Sequence, residues 1–208
     1  MQNDITNETY RRMYYDAMRR SDGLRAMAES MIEADKKIIV EIKTSGNNNI
    51  RDEIIKLSII DTENNVLYDN VLQPEKDFNR ELRLGLVNSL DGISKEQMVN
   101  APMLKEQLYI IDKILLSAKA IIGYSLGKTM SFLRKSGCVW RSDYDFISIE
   151  EAFSNADNKN KNAALVDCAA HFDYHWNSDT PHSTLDNCRA VLHCYNKMLE
   201  SGYELMNF

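Results

Sequence analysis

The run Lys37-Ile38-Ile39-Val40-Glu41-Ile42 is short and almost wholly apolar, which is typical of a strand buried inside a sheet. Two further strands are predicted after it, over residues 54–60 and 66–72. Asn47-Asn48-Asn49 and Asn64-Asn65 are predicted to turn the chain between the strands, because asparagine tolerates the left-handed backbone of tight turns. The three strands are therefore predicted to form an antiparallel meander.

Helical and strand patterns alternate after the meander. Ser94 and Gln97, which follow Gly92-Ile93, are spaced as a capping box at the start of a short helix. A fourth strand is predicted at Ala120–Gly123, with another helix around residues 130–134. Between these two helices lies a longer amphipathic helix, whose apolar side is formed by Leu104, Leu108, Ile111, Ile114 and Leu115.

The last third of the chain has a less regular pattern. Residues 143–162 are polar and are predicted to form a loop with a helical turn. Ala164-Leu165-Val166 predicts a fifth short strand, followed by a helix over residues 168–176 and a final helix from about residue 183 to residue 200. The whole pattern predicts an α/β domain over residues 37–208, with a mixed five-stranded sheet flanked by helices.

The N-terminal segment has a different pattern from the domain that follows it. Tyr10, Met13, Tyr14 and Met18 share one face of a helix, and a second helical run follows Ser21-Asp22-Gly23. Residues 1–36 are therefore predicted to be a helical extension.

Composition and charge restrict the classes of function. The net charge of −6 argues against tight, nonspecific wrapping of nucleic acid, which depends on many Lys and Arg contacts to phosphate, although a local basic patch is compatible with it. No apolar stretch is long enough to span a membrane, and no membrane partner is expected. The four cysteines contain no CxxC motif, which favours free thiols and a cytoplasmic location.

Five pieces of sequence resemble the motifs of the DnaQ-like (DEDDh) 3′–5′ exonucleases, which have a ribonuclease-H-like fold. They are Val40-Glu41-Ile42-Lys43-Thr44-Ser45-Gly46; Ile54-Ile55-Lys56-Leu57-Ser58-Ile59-Ile60 with Val66-Leu67-Tyr68 and Gln73-Pro74; Gly92-Ile93-Ser94; Ile122-Gly123-Tyr124-Ser125 through Thr129 to Phe132-Leu133; and His182-Ser183-Thr184-Leu185-Asp186-Asn187-Cys188-Arg189-Ala190. The first piece matches the family's D-x-E-T-T-G and the last its H-x-A-L-x-D-x-R-A. The resemblance covers about residues 37–198 and implies the same fold.

The resemblance also implies where the catalytic residues of the family would lie. Its members hydrolyse phosphodiesters with two Mg²⁺ or Mn²⁺ ions on four carboxylates, and a histidine acts as general base. The four carboxylate positions fall on Glu41, Lys43, Thr129 and Asn187, and the base position falls on His182. The quartet would carry a charge of about −4 in an active member and about 0 here. A degenerate exonuclease without bound metal ions, that is a pseudoenzyme, is therefore expected.

A competing alignment uses Asp61-Thr62-Glu63, which is a literal D-x-E motif. The reading of this segment as a solvated hairpin end is preferred, because Asn64-Asn65 turns the chain into the next strand. The alternative hypothesis of an active exonuclease requires a rearranged acidic site, assembled from Asp61, Glu63, Asp167 or Asp186.

Two kinds of binding protein are compatible with a degenerate site. In the first, Lys43 replaces the metal ions and contacts a phosphate of a single-stranded nucleic acid or nucleotide. Tyr124, Lys128 and His182 would then contribute stacking and charge. In the second, the cleft is filled and the domain serves as a protein-interaction module or a homodimer, which the overall acidity favours.

Overall fold

The structure is a computed structural model that describes residues 36–74, 89–90, 92–139, 141, 144–156, 163–176, 183–203 and 205. Its strands are β1 (Lys37–Thr44), β2 (Ile54–Asp61), β3 (Val66–Val71), β4 (Ser89–Leu90), β5 (Ile93–Ser94), β6 (Ala120–Gly123) and β7 (Asp145–Ser148). Its helices are α1 (Lys95–Val99), α2 (Leu104–Ser117), α3 (Leu126–Lys135), α4 (Ile149–Ala156), α5 (Leu165–His171) and α6 (Thr184–Glu200).

The main sheet has five strands in the order β3-β2-β1-β6-β7. Strand β1 is central: it pairs antiparallel with β2 on one side and parallel with β6 on the other. The β2–β3 pair is antiparallel and the β6–β7 pair is parallel. The predicted meander and the mixed five-stranded sheet are confirmed, and β4 and β5 form a separate small ribbon.

The apolar run of β1 explains why this strand is central. Ile38, Ile39 and Val40 are fully buried, and alternate side chains of a strand point to opposite faces. Ile39 packs with α4, α5 and α6, whereas Ile38 and Val40 pack with α2 and α3 on the other face. A strand covered by helices on both faces needs an apolar sequence, and β1 has one over Ile38, Ile39 and Val40.

The predicted helix starts agree with the capping interactions. Ser94 and Gln97 form the expected capping box at the start of α1. Ser183 caps α6, accepting a hydrogen bond from the backbone N–H of Asp186. The first cap orients a short helix and the second orients the long helix that lies across β1 and β2.

Two predictions in the last third of the chain are wrong. The fifth strand of the sheet is β7 (Asp145–Ser148), in the segment predicted to be a loop, and α4 follows it directly. Ala164-Leu165-Val166 is not a strand, because α5 begins at Leu165 and its Asp167 side chain accepts a hydrogen bond from the backbone N–H of Ala164. This cap makes the apolar triplet the first turn of a helix.

The predicted helical extension over residues 1–36 lies, apart from Lys36, outside the described residues, and the division at residue 36 stays a prediction. None of the helices described is both long and apolar enough to cross a lipid bilayer.

Candidate functional site

Glu41 lies at the centre of the candidate site, near the carboxyl end of β1. Its Oε1 accepts a hydrogen bond of 2.8 Å from the backbone N–H of Tyr124, which directly follows β6. The parallel pairing of β1 and β6 brings these two residues together, although they are 83 positions apart in the chain. Gly123 allows the close approach, since a Cβ atom there would lie only 3.1 Å from the carbonyl oxygen of Val40.

The carboxyl group of Glu41 is removed from water. Glu41 is 8% exposed, and burial raises its pKa from 4.5 to about 7, while the Tyr124 N–H acts in the opposite direction. Desolvation therefore outweighs the hydrogen bond. Near neutral pH the side chain is divided between its charged and its protonated form.

A buried thiol and two buried hydroxyls lie beside Glu41. The Cys188 Sγ donates to the carbonyl oxygen of Ser58 at 3.4 Å, and burial followed by the charge of Glu41 raises the pKa of this thiol. The Ser58 hydroxyl donates to Asp69 Oδ1 at 2.6 Å and lies 2.5 Å from the Thr184 hydroxyl. These contacts attach the start of α6 to β2 directly opposite Glu41, because Ser58 is the cross-strand partner of Glu41.

Lys43 is two residues beyond Glu41 and therefore on the same face of β1. It is half-buried, and its cross-strand partner on β2 is Lys56. Lys56 forms an ion pair of 3.3 Å with Asp69 on β3. Residues 43 and 56, both lysines, are thus neighbours across β1 and β2 near the carboxyl end of β1.

The two other positions that the resemblance assigns to carboxylates hold neutral residues. Thr129 is 4% exposed on α3, and its backbone N–H bonds to the carbonyl oxygen of Ser125. Asn187 is half-buried in the first turn of α6, and its backbone N–H bonds to the carbonyl oxygen of Ser183. Neither residue type supplies the anionic oxygen that Mg²⁺ prefers.

The predicted nucleic-acid contacts differ in their exposure. Tyr124 is only 6% exposed as a residue, and its hydroxyl donates to the carbonyl oxygen of Ala163 at 2.7 Å, so its ring is not presented for stacking on a base. Lys128 is exposed and its Nζ donates to Asn47 Oδ1 at 2.9 Å. His182 lies outside the described residues, and its role stays a prediction.

The acidic residues of the alternative site serve local structure. Asp61 closes the β2–β3 hairpin, where its Oδ1 accepts from the backbone N–H groups of Glu63 and Asn65. Asp186 completes a capping box at the start of α6, and the Asp167 side chain accepts a hydrogen bond from the Ala164 backbone N–H at the start of α5. Within the part of the chain that the structure describes, no three His, Cys, Asp or Glu side chains come together in a way that could hold a metal ion.

The sequence alone did not identify the groups that surround Glu41. Ser58, Thr184 and Cys188 all lie within pieces quoted for the resemblance, but at positions to which the family motif assigns no chemistry. A small polar residue in the middle of the apolar strand Ile54–Asp61 was the available signal, because a buried hydroxyl needs a hydrogen-bond partner.

A mixed five-stranded sheet with helices on both faces, and the candidate site at the carboxyl ends of β1 and β6, define the ribonuclease-H-like exonuclease fold, as the sequence predicted. A scan against protein-family models finds no match, and a search of curated proteins finds no significant match.

Solved structures of exonucleases have the same fold. A 3′-exonuclease described in a study of 3′-end-specific recognition of a histone mRNA stem-loop is 15% identical, with a TM-score of 0.59 over 85% of this chain and 67% of that one. A full-length 3′-exonuclease is 18% identical, with a TM-score of 0.56 over 83% and 85%. A third similar structure is that of the yeast NOT1 MIF4G domain co-crystallised with CAF1. It is 11% identical, with a TM-score of 0.59 over 85% of this chain and 84% of that one.

Proposed function

We propose that this chain is a non-hydrolytic member of the exonuclease fold that binds single-stranded nucleic acid or nucleotide ends. The single observation that carries the proposal is the lack of carboxylates at the positions that the resemblance assigns to metal ligands. Glu41 is the one acidic residue among the four, and its carboxyl group is buried and bonded to a backbone N–H. A site for two divalent cations needs several anionic oxygens, which a single carboxyl group does not supply.

The electrostatics of the remaining positions support the proposal. A site for two divalent cations concentrates negative charge, whereas Lys43 brings a positive charge and Thr129 and Asn187 bring none. Lys56 adds a second ammonium group beside Lys43, with Asp69 as its partner. The balance favours an anionic ligand over a metal ion at this edge of the sheet.

Nucleic acid is the anionic ligand that the similar structures suggest. One of them is described as recognising the 3′ end of an mRNA stem-loop. In this chain Lys43 would contact the phosphate directly, in place of the metal ions. The four cysteines are free and buried, which is compatible with the reducing cytoplasm in which we propose that the chain acts.

Hydrolysis is tested with the purified chain, a labelled single strand, and Mg²⁺ or Mn²⁺. We expect no shortening of the strand. The alternative function, an active exonuclease with a rearranged acidic site, predicts shortening, and degradation that disappears in Glu41→Ala would overturn the proposal.

A restored quartet provides the matched comparison. The triple variant Lys43→Glu, Thr129→Asp, Asn187→Asp returns carboxylates to the three replaced positions. Titration calorimetry with Mn²⁺ is expected to show binding by this variant and none by the natural chain. Binding of Mn²⁺ by the natural chain that is lost in Glu41→Gln would contradict the proposal.

A protein-interaction module is the second candidate function. The exposed side chains of Tyr109 and Ile110 on α2 favour it, at 49% and 47% exposure, and one similar structure holds CAF1 together with a domain of NOT1. A homodimer is one form of this function. Light scattering combined with size-exclusion chromatography, on the natural chain and on Tyr109→Ser, tests for such self-association.

A further inference from the structure

The connection between β1 and β2 is a folded loop, which we call the β1–β2 loop (residues 45–53). The Ser45 N–H donates to the Glu53 carbonyl oxygen at 2.9 Å, and the Glu53 N–H donates to the Ser45 hydroxyl at 3.0 Å, so the base of the loop is closed. At its tip, Asn48 Oδ1 accepts from the Ile50 N–H at 2.9 Å. The Asn48 N–H in turn donates to Asp52 Oδ2 at 2.7 Å. The loop is therefore held in one shape by its own hydrogen bonds.

Helix α3 holds the loop in place along one of its faces. Lys128 Nζ donates to Asn47 Oδ1 at 2.9 Å, Ser131 Oγ accepts from the Asn49 side chain, and Lys135 Nζ donates to the Ile50 carbonyl oxygen at 2.8 Å. Residues 128, 131 and 135 are three and four apart, a spacing that places them on a single helical face. The loop and this face of α3 form one continuous surface.

The tip of the loop exposes an apolar side chain. Ile50 is 75% exposed, the largest value among the large hydrophobic residues that the structure describes. Arg51, next to it, is also exposed. An apolar side chain fixed at the tip of an ordered loop keeps its exposed surface because the loop cannot fold back over it.

The surface beside the tip is positively charged, although the chain as a whole carries −6. Helix α3 contains Lys128, Arg134 and Lys135 and no acidic residue. Each lysine ammonium has three hydrogen-bond donors, and the loop uses one donor of Lys128 and one of Lys135. The loop itself adds Arg51 and two acidic residues, Asp52 and Glu53, so the whole surface has four basic and two acidic side chains and a net charge of +2 in a chain of −6. A local excess of positive charge in an acidic protein favours contact with a polyanion.

We infer that the β1–β2 loop and the adjoining face of α3 form a binding surface for the backbone of a single-stranded nucleic acid. Arg51, Lys128 and Lys135 contact phosphates, and Ile50 packs against a base. The inference rests on the proposed function and extends it, because it assigns the path that the strand takes away from the cleft. The loop begins two residues after Lys43, so this surface is continuous with the edge of the sheet where a strand end would bind.

Fluorescence anisotropy with 5′-labelled dodecamers of single-stranded RNA and DNA tests the inference on the full chain. For single strands the logarithm of the binding constant falls linearly with the logarithm of the salt concentration, and each phosphate contact contributes about 0.7 to the slope. Loss of one contact therefore weakens binding about fourfold at 0.15 M salt and lowers the salt slope by about 0.7. Arg51→Gln and Lys135→Gln are each expected to show both effects.

Matched controls separate the surface from general effects of charge. Lys197→Gln removes a charge from α6, where Lys197 pairs with Glu200, and is expected to leave the affinity unchanged. Ile50→Ser is expected to weaken binding, whereas Val66→Ser, which removes a half-exposed apolar residue from β3, is not. Arg51 is the decisive position, because Lys135 also supports the loop and its loss could act through the shape of the loop.

Two outcomes would overturn the inference. The first is that the natural chain binds the dodecamers, Lys43→Glu weakens this binding, and Arg51→Gln and Ile50→Ser do not. The proposed function would then stand, but the strand would not follow the β1–β2 loop. The second is no binding of either dodecamer by the natural chain, as a protein-interaction surface would give; this result would overturn the proposed function together with the inference. The first outcome overturns the inference alone, and shortening of the strand with Mg²⁺ or Mn²⁺ overturns the non-hydrolytic part of the proposed function alone.

Discussion

Replacing Glu41 by glutamine is expected to stabilise the folded chain at alkaline pH and to change it little at acidic pH. The folded-state pKa of Glu41 is about 7 and its ordinary value is 4.5. An acid with a raised folded-state pKa contributes its full stability below the unfolded-state value, and this contribution is lost as the pH rises through the folded-state value. Glutamine does not ionise, and its Oε1 can still accept the Tyr124 N–H.

The magnitude follows from the two pKa values. A difference of about 2.5 corresponds to about 3 kcal/mol in the free energy of unfolding. The difference in stability between Glu41→Gln and the natural chain is therefore expected to grow by about 3 kcal/mol in favour of the variant between pH 4.5 and pH 8. Most of the change is expected between pH 5 and pH 7.

Urea unfolding followed by circular dichroism, at several pH values in that window, measures this difference. Glu96→Gln, at an exposed position of α1, serves as the control for removal of a carboxylate. A difference that is independent of pH would refute the reasoning from burial. A difference of opposite sign would mean that a cation, such as the Lys43 ammonium, stabilises the charged carboxylate.

Two other substitutions test how the site is positioned. Gly123→Ala places a Cβ atom 3.1 Å from the Val40 carbonyl oxygen. We expect the free energy of unfolding, measured with heat or urea, to fall by about 1–3 kcal/mol. Unchanged stability would contradict the tight approach of β6 to β1. Ser183→Ala removes the hydroxyl that accepts a hydrogen bond from the Asp186 N–H, and it is expected to lower the free energy of unfolding by about 1 kcal/mol. Ser183→Thr is the control, because it retains a capping hydroxyl.

The sequence predicted the elements whose patterns are strong. The apolar run of β1, the two strands after it, the capping pair at Ser94 and the start of the final helix near residue 183 all formed as expected. Strand β7 was missed because it is a four-residue edge strand in a polar segment, and an edge strand needs less apolar sequence than a central one. The triplet at Ala164 was misassigned because the apolar pattern was given more weight than the cap formed by Asp167.

The place of Glu41 in the fold was predictable from the sequence, but its surroundings were not. The sequence predicted that Glu41 lies in the first strand, and the structure has it in β1. Its hydrogen bond to Tyr124 and its raised pKa depend on the pairing of β1 with β6 and on the helix packed over them, and residue types alone do not encode either. The burial of the Tyr124 ring likewise follows from packing against Ala163 and α5.

The position of β1 in the sheet has a consequence for any ligand. From β1 the chain turns to β2 on one side, and from β6 it continues through α3 to β7 on the other. Neighbouring strands whose connections leave in opposite directions create a crevice at their carboxyl ends, and this topological switch point is where open α/β sheets bind ligands. Connectivity alone therefore sets the position for a ligand at the carboxyl ends of β1 and β6, beside Glu41. Which ligand that position accepts depends on its side chains, and under the proposed function Lys43, Thr129 and Asn187 favour an anion over a metal ion.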